Sequence, residues 1–187
     1  MRFDDAYWKK WNAEQSDLKA KAIDNFIDRE RLVYQTLIID GHVLSIVGKP
    51  FGTTMEDLET CSQILIQQQK EAANGIRENC YYIAARAVDE GVAEGALNTP
   101  NDASKITAYG NHTINFLKLS DGTLLAFDLT TAQNIDHEQG RIAVLGIHGE
   151  SLEEVKDMLG KLYGGQWNQF SEEEINTLIV NQYNRRR

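Results

Sequence analysis

Two largely apolar stretches of the chain, Thr113–Leu119 and Thr123–Leu129, are rich in Leu, Phe, Ile and Thr, as half-buried strands are. Only Ser120-Asp121-Gly122 separates them, which predicts an antiparallel hairpin. A three-residue loop wants a left-handed residue at its last position, and Gly122 supplies one. That loop sets Leu119 opposite Thr123, Ile114 opposite Asp128 and His112 opposite Thr130. His112 and Asp128 then become diagonal neighbours on one face, roughly 7 Å apart by backbone and within reach of a His–carboxylate hydrogen bond. A two-residue Asp-Gly turn would instead pair Leu119 with Leu124 and send the two side chains to opposite faces.

Elsewhere the apolar positions recur with helical spacing. Asp4–Glu14 gathers Tyr7, Trp8 and Trp11 on one side of a short helix. Ser16 caps a longer helix over Asp17–Gln35, and Thr36–Val47 reads as a short hairpin or a helix-to-loop passage around Asp40-Gly41. After the break at Lys49-Pro50-Phe51-Gly52, Thr54 caps a helix to about Ala73, with Leu58, Cys61, Leu65 and Ala72 on one stripe. Cys61 is therefore expected in the core. Asn74-Gly75 stops that helix, and Asn79 caps the next, whose first residue is Cys80. Ile83, Ala84, Ala87, Val88 and Gly91 follow on its buried side, small enough for close packing on a sheet. Asn98–Lys105 reads as a polar loop and Arg141–Ile147 as a third strand. Ser151 caps a helix to about Tyr163, Gly164-Gly165 ends it, and Ser171 with Glu174 forms a capping box for a last helix to about Tyr183. Helices first and strands later predict an α+β fold, helices against an antiparallel sheet.

At 187 residues the chain fits a single domain, divided as a helical N-terminal part (1–53), a core (54–150) and C-terminal helices (151–187). A net charge of −9 argues against a nucleic-acid partner, which needs a basic face. No apolar run approaches membrane-spanning length, so membrane insertion is not expected. The start, Met1 followed by Arg2, Asp4 and Asp5, has no apolar segment of a classical signal peptide. Cytoplasmic synthesis is expected, with export by a specialised secretion system compatible. The two cysteines make no disulfide framework, and the scattered His42, His112, His137 and His148 make no metal spacing; no cofactor or metal is expected. His42 reads as a loop residue, His137 as a turn residue, and His148 as a strand end, each structural or exposed.

The position of Cys80 matters chemically. The free amides and partial positive charge of a helix start favour a thiolate, and a nearby imidazolium favours it further, lowering a thiol pKa from about 8.5 to roughly 3.5–7.5. A cysteine opening a helix, a histidine opening a strand and an aspartate on the next strand resemble the Cys…His…Asp order of the transglutaminase-like and papain-like superfamily. Phe127-Asp128-Leu129-Thr130 resembles that family's Asp-x-Thr signature. Gln133, five residues past Asp128, is similar to a glutamine of papain-like deamidase domains in bacterial toxins. The likeness covers roughly residues 78–134 and departs from transglutaminases after His112, where Thr113-Ile114 stands in place of a tryptophan neighbourhood. It implies a papain-like/transglutaminase-like fold, with the central cysteine-bearing helix packed on a small antiparallel sheet and extra helices at both ends.

The resemblance also implies roles. Cys80 is the nucleophile, His112 the base and acid, Asp128 the group that orients the ring, and Gln133 with the Cys80 backbone N–H the oxyanion donors. The reaction is acyl transfer on a protein substrate through a thioester, as in a glutamine deamidase or a transglutaminase. A cysteine protease is an alternative, as is transfer to a small amine in the manner of arylamine N-acetyltransferases, though Gly75-Ile76-Arg77-Glu78-Asn79 lacks that family's Arg-Gly-Gly lead-in. A non-catalytic acidic binding module or inhibitor is the alternative of another class.

Overall fold

The structure, a computed structural model, describes residues 28–31, 33–50, 54–73, 80–99, 112–131 and 143–185. In chain order the elements are β1 (Val33–Ile39), β2 (His42–Gly48), α1 (Met55–Ala73), α2 (Cys80–Asp89), β3 (Gly95–Thr99), β4 (His112–Lys118), β5 (Leu124–Asp128), β6 (Val144–Gly149), α3 (Leu152–Tyr163), β7 (Asn168–Gln169) and α4 (Glu172–Arg185). The strands form one sheet in the order β1-β2-β6-β5-β4-β3-β7. Every neighbouring pair is antiparallel except β2 and β6, which run parallel. The α+β class holds, but the sheet is larger than expected and mixed rather than purely antiparallel.

The hairpin register follows the loop chemistry. Asn115 pairs with Phe127 and Lys118 with Leu124. The loop closes through Leu119 N–H to Thr123 O at 2.8 Å and Gly122 N–H to Leu119 O at 2.9 Å, with Gly122 at φ 85°. The first hairpin, β1–β2, turns on Asp40 and Gly41, both left-handed at φ 51° and 80°, the primed geometry whose twist matches the strands. Val33–Gln35, expected at the end of a helix, already belong to β1, and His42 opens β2 rather than lying in a loop. Residues 33–48 of the expected helical N-terminal part are thus two strands of the common sheet, and of the two readings of Thr36–Val47 the hairpin around Asp40-Gly41 is the one that forms. The third expected strand starts later, at Val144, and reaches Gly149. Asn98 and Thr99, expected in a loop, close β3. The expected helix over Asp4–Glu14, most of the one over Asp17–Gln35, and Asn74, Gly75, Asn79, Gln133 and His137 lie outside the described residues.

Helices cover both faces of the sheet. On one, Cys61, Ile64 and Leu65 of α1 and Ile83 and Ala87 of α2 meet Leu44, Ile46, Leu117, Leu125 and Phe127. On the other, Val155, Met158, Leu159 and Leu162 of α3 meet Val47, Leu97, Ile114, Phe116, Ala126, Leu145 and Ile147. At about 25 cal/mol for each Å² of apolar surface removed from water, these two layers dominate the driving force for the fold. The capping residues act as their chemistry predicts. Thr54 Oγ1 accepts from Asp57 N–H at 3.1 Å, and Ser151 Oγ from Glu154 N–H at 3.2 Å. Ser171 and Glu174 bond reciprocally at 3.0 and 3.2 Å. Helix α4 packs through Ile175 on Ala84, Ala85 and Ala96.

Two polar contacts, the first of them buried, fix the elements that carry the candidate site. Asn115 reaches from β4 to donate to Ala84 O of α2 at 2.9 Å and to Gly95 O of β3 at 3.1 Å. Asp57, at the start of α1, accepts from Ser120 N–H at 3.0 Å and Ser120 Oγ at 2.8 Å, so the hairpin loop is tied to that helix. No described helix is long and apolar enough to cross a membrane.

Candidate active site

His112 is the first residue of β4 and Asp128 the last of β5. The hairpin register, continued past Asn115–Phe127, sets Ile114 opposite Asp128, so the His112 and Asp128 side chains share the face that α3 covers. His112 Nε2 meets Asp128 Oδ2 at 2.8 Å, with both side chains almost fully buried. Cys80 opens α2, on the other face, and remains half-buried. Its thiol lies beside the His112 ring and the Thr113 backbone N–H, both of which favour its negative form. Because Nε2 is engaged with Asp128, Nδ1 is the ring nitrogen left for the sulfur. The contact forms where β4 and β5 part. Their pairing ends at Asn115–Phe127, so a longer ladder's use of the Thr113 N–H is vacated and the sulfur lies beside it.

Asp128 is held by more than His112. Its Oδ1 accepts from Thr130 N–H at 3.0 Å and Thr130 Oγ1 at 3.1 Å. Its Oδ2 also accepts from the Tyr163 hydroxyl, at 3.0 Å, at the end of α3. The Tyr163 ring lies 5.6 Å from the His112 ring at a 32° tilt, and Trp167 meets His112 edge-on at 6.3 Å. Trp167 is itself anchored by donating from Nε1 to Gly164 O at 3.1 Å. These two aromatic residues, with Thr113, are the site residues that the sequence reading passed over, whereas Thr130 is the threonine of the Asp-x-Thr pattern. Tyr163 and Trp167 come from the region expected to form separate C-terminal helices, and the site joins that region to the core.

Burial and charge act in opposite directions here. Burial pushes the Cys80 thiol up, but the hydrogen bond and charge of His112 and the Thr113 N–H outweigh it and leave the thiol below its usual range. Burial disfavours the His112 imidazolium, yet Asp128 and the Cys80 sulfur outweigh that and raise it to about 10. Asp128 is also opposed by burial, and the charge and hydrogen bond of His112, with Tyr163 and Thr130 N–H, keep it below the ordinary carboxylate value. The arrangement favours a thiolate–imidazolium pair backed by a carboxylate, and the protons of that pair titrate jointly.

Cys61 lies elsewhere, fully buried against α1's core neighbours, where burial and then Asp57 push its thiol up to about 11. His148 is in β6 and buried rather than exposed. Its Nδ1 meets Lys49 O at 2.5 Å and its Nε2 meets Thr123 Oγ1 at 2.7 Å. Among the described residues no three His, Cys, Asp or Glu side chains converge as a metal site. No protein-family model, curated protein or solved structure matches this chain.

Proposed function

We propose that this protein is a cysteine-dependent acyl-transfer enzyme acting on protein amides through a thioester, of the glutamine deamidase or transglutaminase kind. The observation that carries the reading is the His112 ring placed between the Cys80 thiol and the Asp128 carboxylate. A buried charge is costly unless it is paired and hydrogen-bonded, as the His112–Asp128 pair is. A buried His–Asp pair beside a half-exposed thiol at a helix start is how a nucleophile is activated.

In this mechanism the Cys80 sulfur attacks the amide carbon, and the carbonyl π pair moves onto oxygen. The Cys80 backbone N–H, unused by α2 at its first position, donates to that oxyanion. Collapse breaks the C–N bond, and the His112 imidazolium gives its Nδ1 proton to the departing amine, leaving the thioester. His112, again neutral, then takes a proton from water or an amine as it attacks the thioester. That step releases the acid or the new amide and returns the thiol. Asp128 keeps the proton on Nε2 throughout. Gln133 is the second oxyanion donor in this reading, on the grounds of the sequence resemblance.

Iodoacetamide labelling followed by peptide mass analysis tests the nucleophile: Cys80 should be alkylated fast at mildly acidic pH while Cys61 stays unmodified. Equal, slow labelling of both thiols would support a non-catalytic module. Mass analysis of candidate proteins after incubation tests the reaction, since a glutamine gains about one mass unit on deamidation and a crosslink on transamidation.

A further inference from the structure

We propose that Tyr163 is a positioning residue of the Cys80–His112–Asp128 site, whose phenol shares Asp128 Oδ2 with His112 Nε2 and withdraws part of the carboxylate's charge. The inference rests on the Cys80 chemistry proposed above. The contacts are specific. Oδ2 accepts from His112 at 2.8 Å and from Tyr163 at 3.0 Å, while both Thr130 donors go to Oδ1. All four side-chain and backbone donors are buried with the carboxylate. Tyr163 thus acts on the oxygen that faces the imidazole, and Thr130 on the oxygen that does not.

Unshared, a buried carboxylate this close to the ring would act on both members of the pair. It would hold the imidazolium more tightly, delaying proton delivery to the leaving amine, and it would oppose the negative charge on the Cys80 sulfur. A second donor on Oδ2 moderates both effects. Burial and the neighbouring carboxylate raise the Tyr163 phenol well above its usual value, so it remains a donor wherever the enzyme works. Among the described residues the ionisable groups that act on Asp128 are His112 from β4, Tyr163 from α3 and, through the ring, Cys80 from α2. The position opposite Asp128 on β6 is the apolar Leu145.

The test is the pH dependence of Cys80 alkylation by iodoacetamide, which needs no natural substrate. Tyr163→Phe keeps the ring against His112 and Trp167 and removes only the hydroxyl. Its profile should move upward on both limbs by about half to one pH unit, which slows alkylation roughly three- to tenfold on the acid side. Placing 3-fluorotyrosine at 163 strengthens the donor without losing it and should move both limbs downward. A purely structural role would loosen the His112–Asp128 contact and draw the two limbs together, or lower the rate at every pH. Either of those results, or an unmoved profile, overturns the inference. A wild-type profile without a thiolate limb would instead refute the Cys80 reading itself. Thermal midpoints identify an unfolded variant, and the fluorinated protein then carries the test.

Discussion

Asp128→Asn keeps the side chain's shape and removes its charge. Oδ1 takes the two Thr130 donors, so the new carbonyl oxygen stays there and the amide NH2 is presented to His112 and Tyr163. His112 Nε2 must then accept, which moves the ring proton to Nδ1, the nitrogen that faces Cys80. A ring in that tautomer cannot take the thiol proton. The magnitude follows from His112, which is raised from 6.5 to about 10. A shift of that size corresponds to on the order of 5 kcal/mol between its protonation states. Burial opposes it, so Asp128 and the Cys80 sulfur together supply at least that much, with Asp128 the larger of the two. With the charge gone and Nε2 made to accept, the neutral thiol and imidazole gain on the ion pair, and alkylation of Cys80 near neutral pH should slow by about 10–10²-fold. Turnover also needs the imidazolium as acid and should fall by about 10³–10⁴. The assay is peptide-resolved alkylation with Cys61 as internal reference, alongside a thermal midpoint. A folded variant that alkylates Cys80 at the wild-type rate and pH dependence would show that the carboxylate does not govern the thiol.

Cys80→Ala should abolish thioester formation, checked by intact mass with an activated acyl donor, while leaving the unfolding midpoint near wild type. Cys61→Ala should do the reverse, costing on the order of 1 kcal/mol in denaturant unfolding with alkylation of Cys80 unchanged. Asp57→Ala removes two hydrogen bonds from Ser120, an exposed residue whose donors water can satisfy, and should cost about 1 kcal/mol by the same measurement. Gln133→Ala should lower kcat about 10²–10³-fold without slowing alkylation, because an oxyanion donor acts on the transition state alone. Stability should fall as pH rises from the ordinary thiol range towards 11. There the unfolded chain has lost the protons of both thiols, whereas the folded chain keeps those of Cys61 and, up to about 10, His112. Below the ordinary Cys value the depressed Cys80 offsets the His112 slope, down to the pH at which the folded thiol takes up its proton. Cys80 and Asp128, both depressed when folded, contribute stability that is lost as acidification passes through their folded values. Urea midpoints across pH check each part.

The sequence was most readable where local chemistry decides geometry. Gly122 at the end of a three-residue loop determines the register, and register alone places His112 and Asp128 on one face. Thr54, Ser151 and Ser171 mark helix starts because their hydroxyls satisfy amides that the helix leaves free. Legibility failed where tertiary context decides. Val33–Gln35 continue a helical apolar period, but pairing with Ile46–Gly48 makes them a strand. Gly95-Ala96-Leu97-Asn98-Thr99 is short and poor in strand formers. It extends because it pairs along its whole length with His112–Phe116 of β4, and Gly95 lets Phe116 lie over it, where a Cβ would meet the ring at 2.6 Å. Tyr163 sits on the same apolar stripe of α3 as Leu159, and nothing local announces that its hydroxyl meets a carboxylate 35 residues earlier in the chain.

The parallel pairing of β6 with β2 has a kinetic meaning. The sheet contains two local hairpins, β1–β2 and β4–β5, with β6 inserted between them and β3 and β7 beyond the second. Each hairpin closes a short loop and forms early, on a microsecond scale for such units (about 1–10 μs). Strand β6 must find Leu44–Gly48 from about 100 positions further along the chain, a costly closure that slows folding. Until it docks, Leu145 is missing from beneath Asp128 and α3 has no floor to bring Tyr163 across. The hairpin that carries His112 and Asp128 can therefore exist before the pair is buried. Activation of the thiol becomes a late event in folding, coupled to the step that joins the two halves of the sheet.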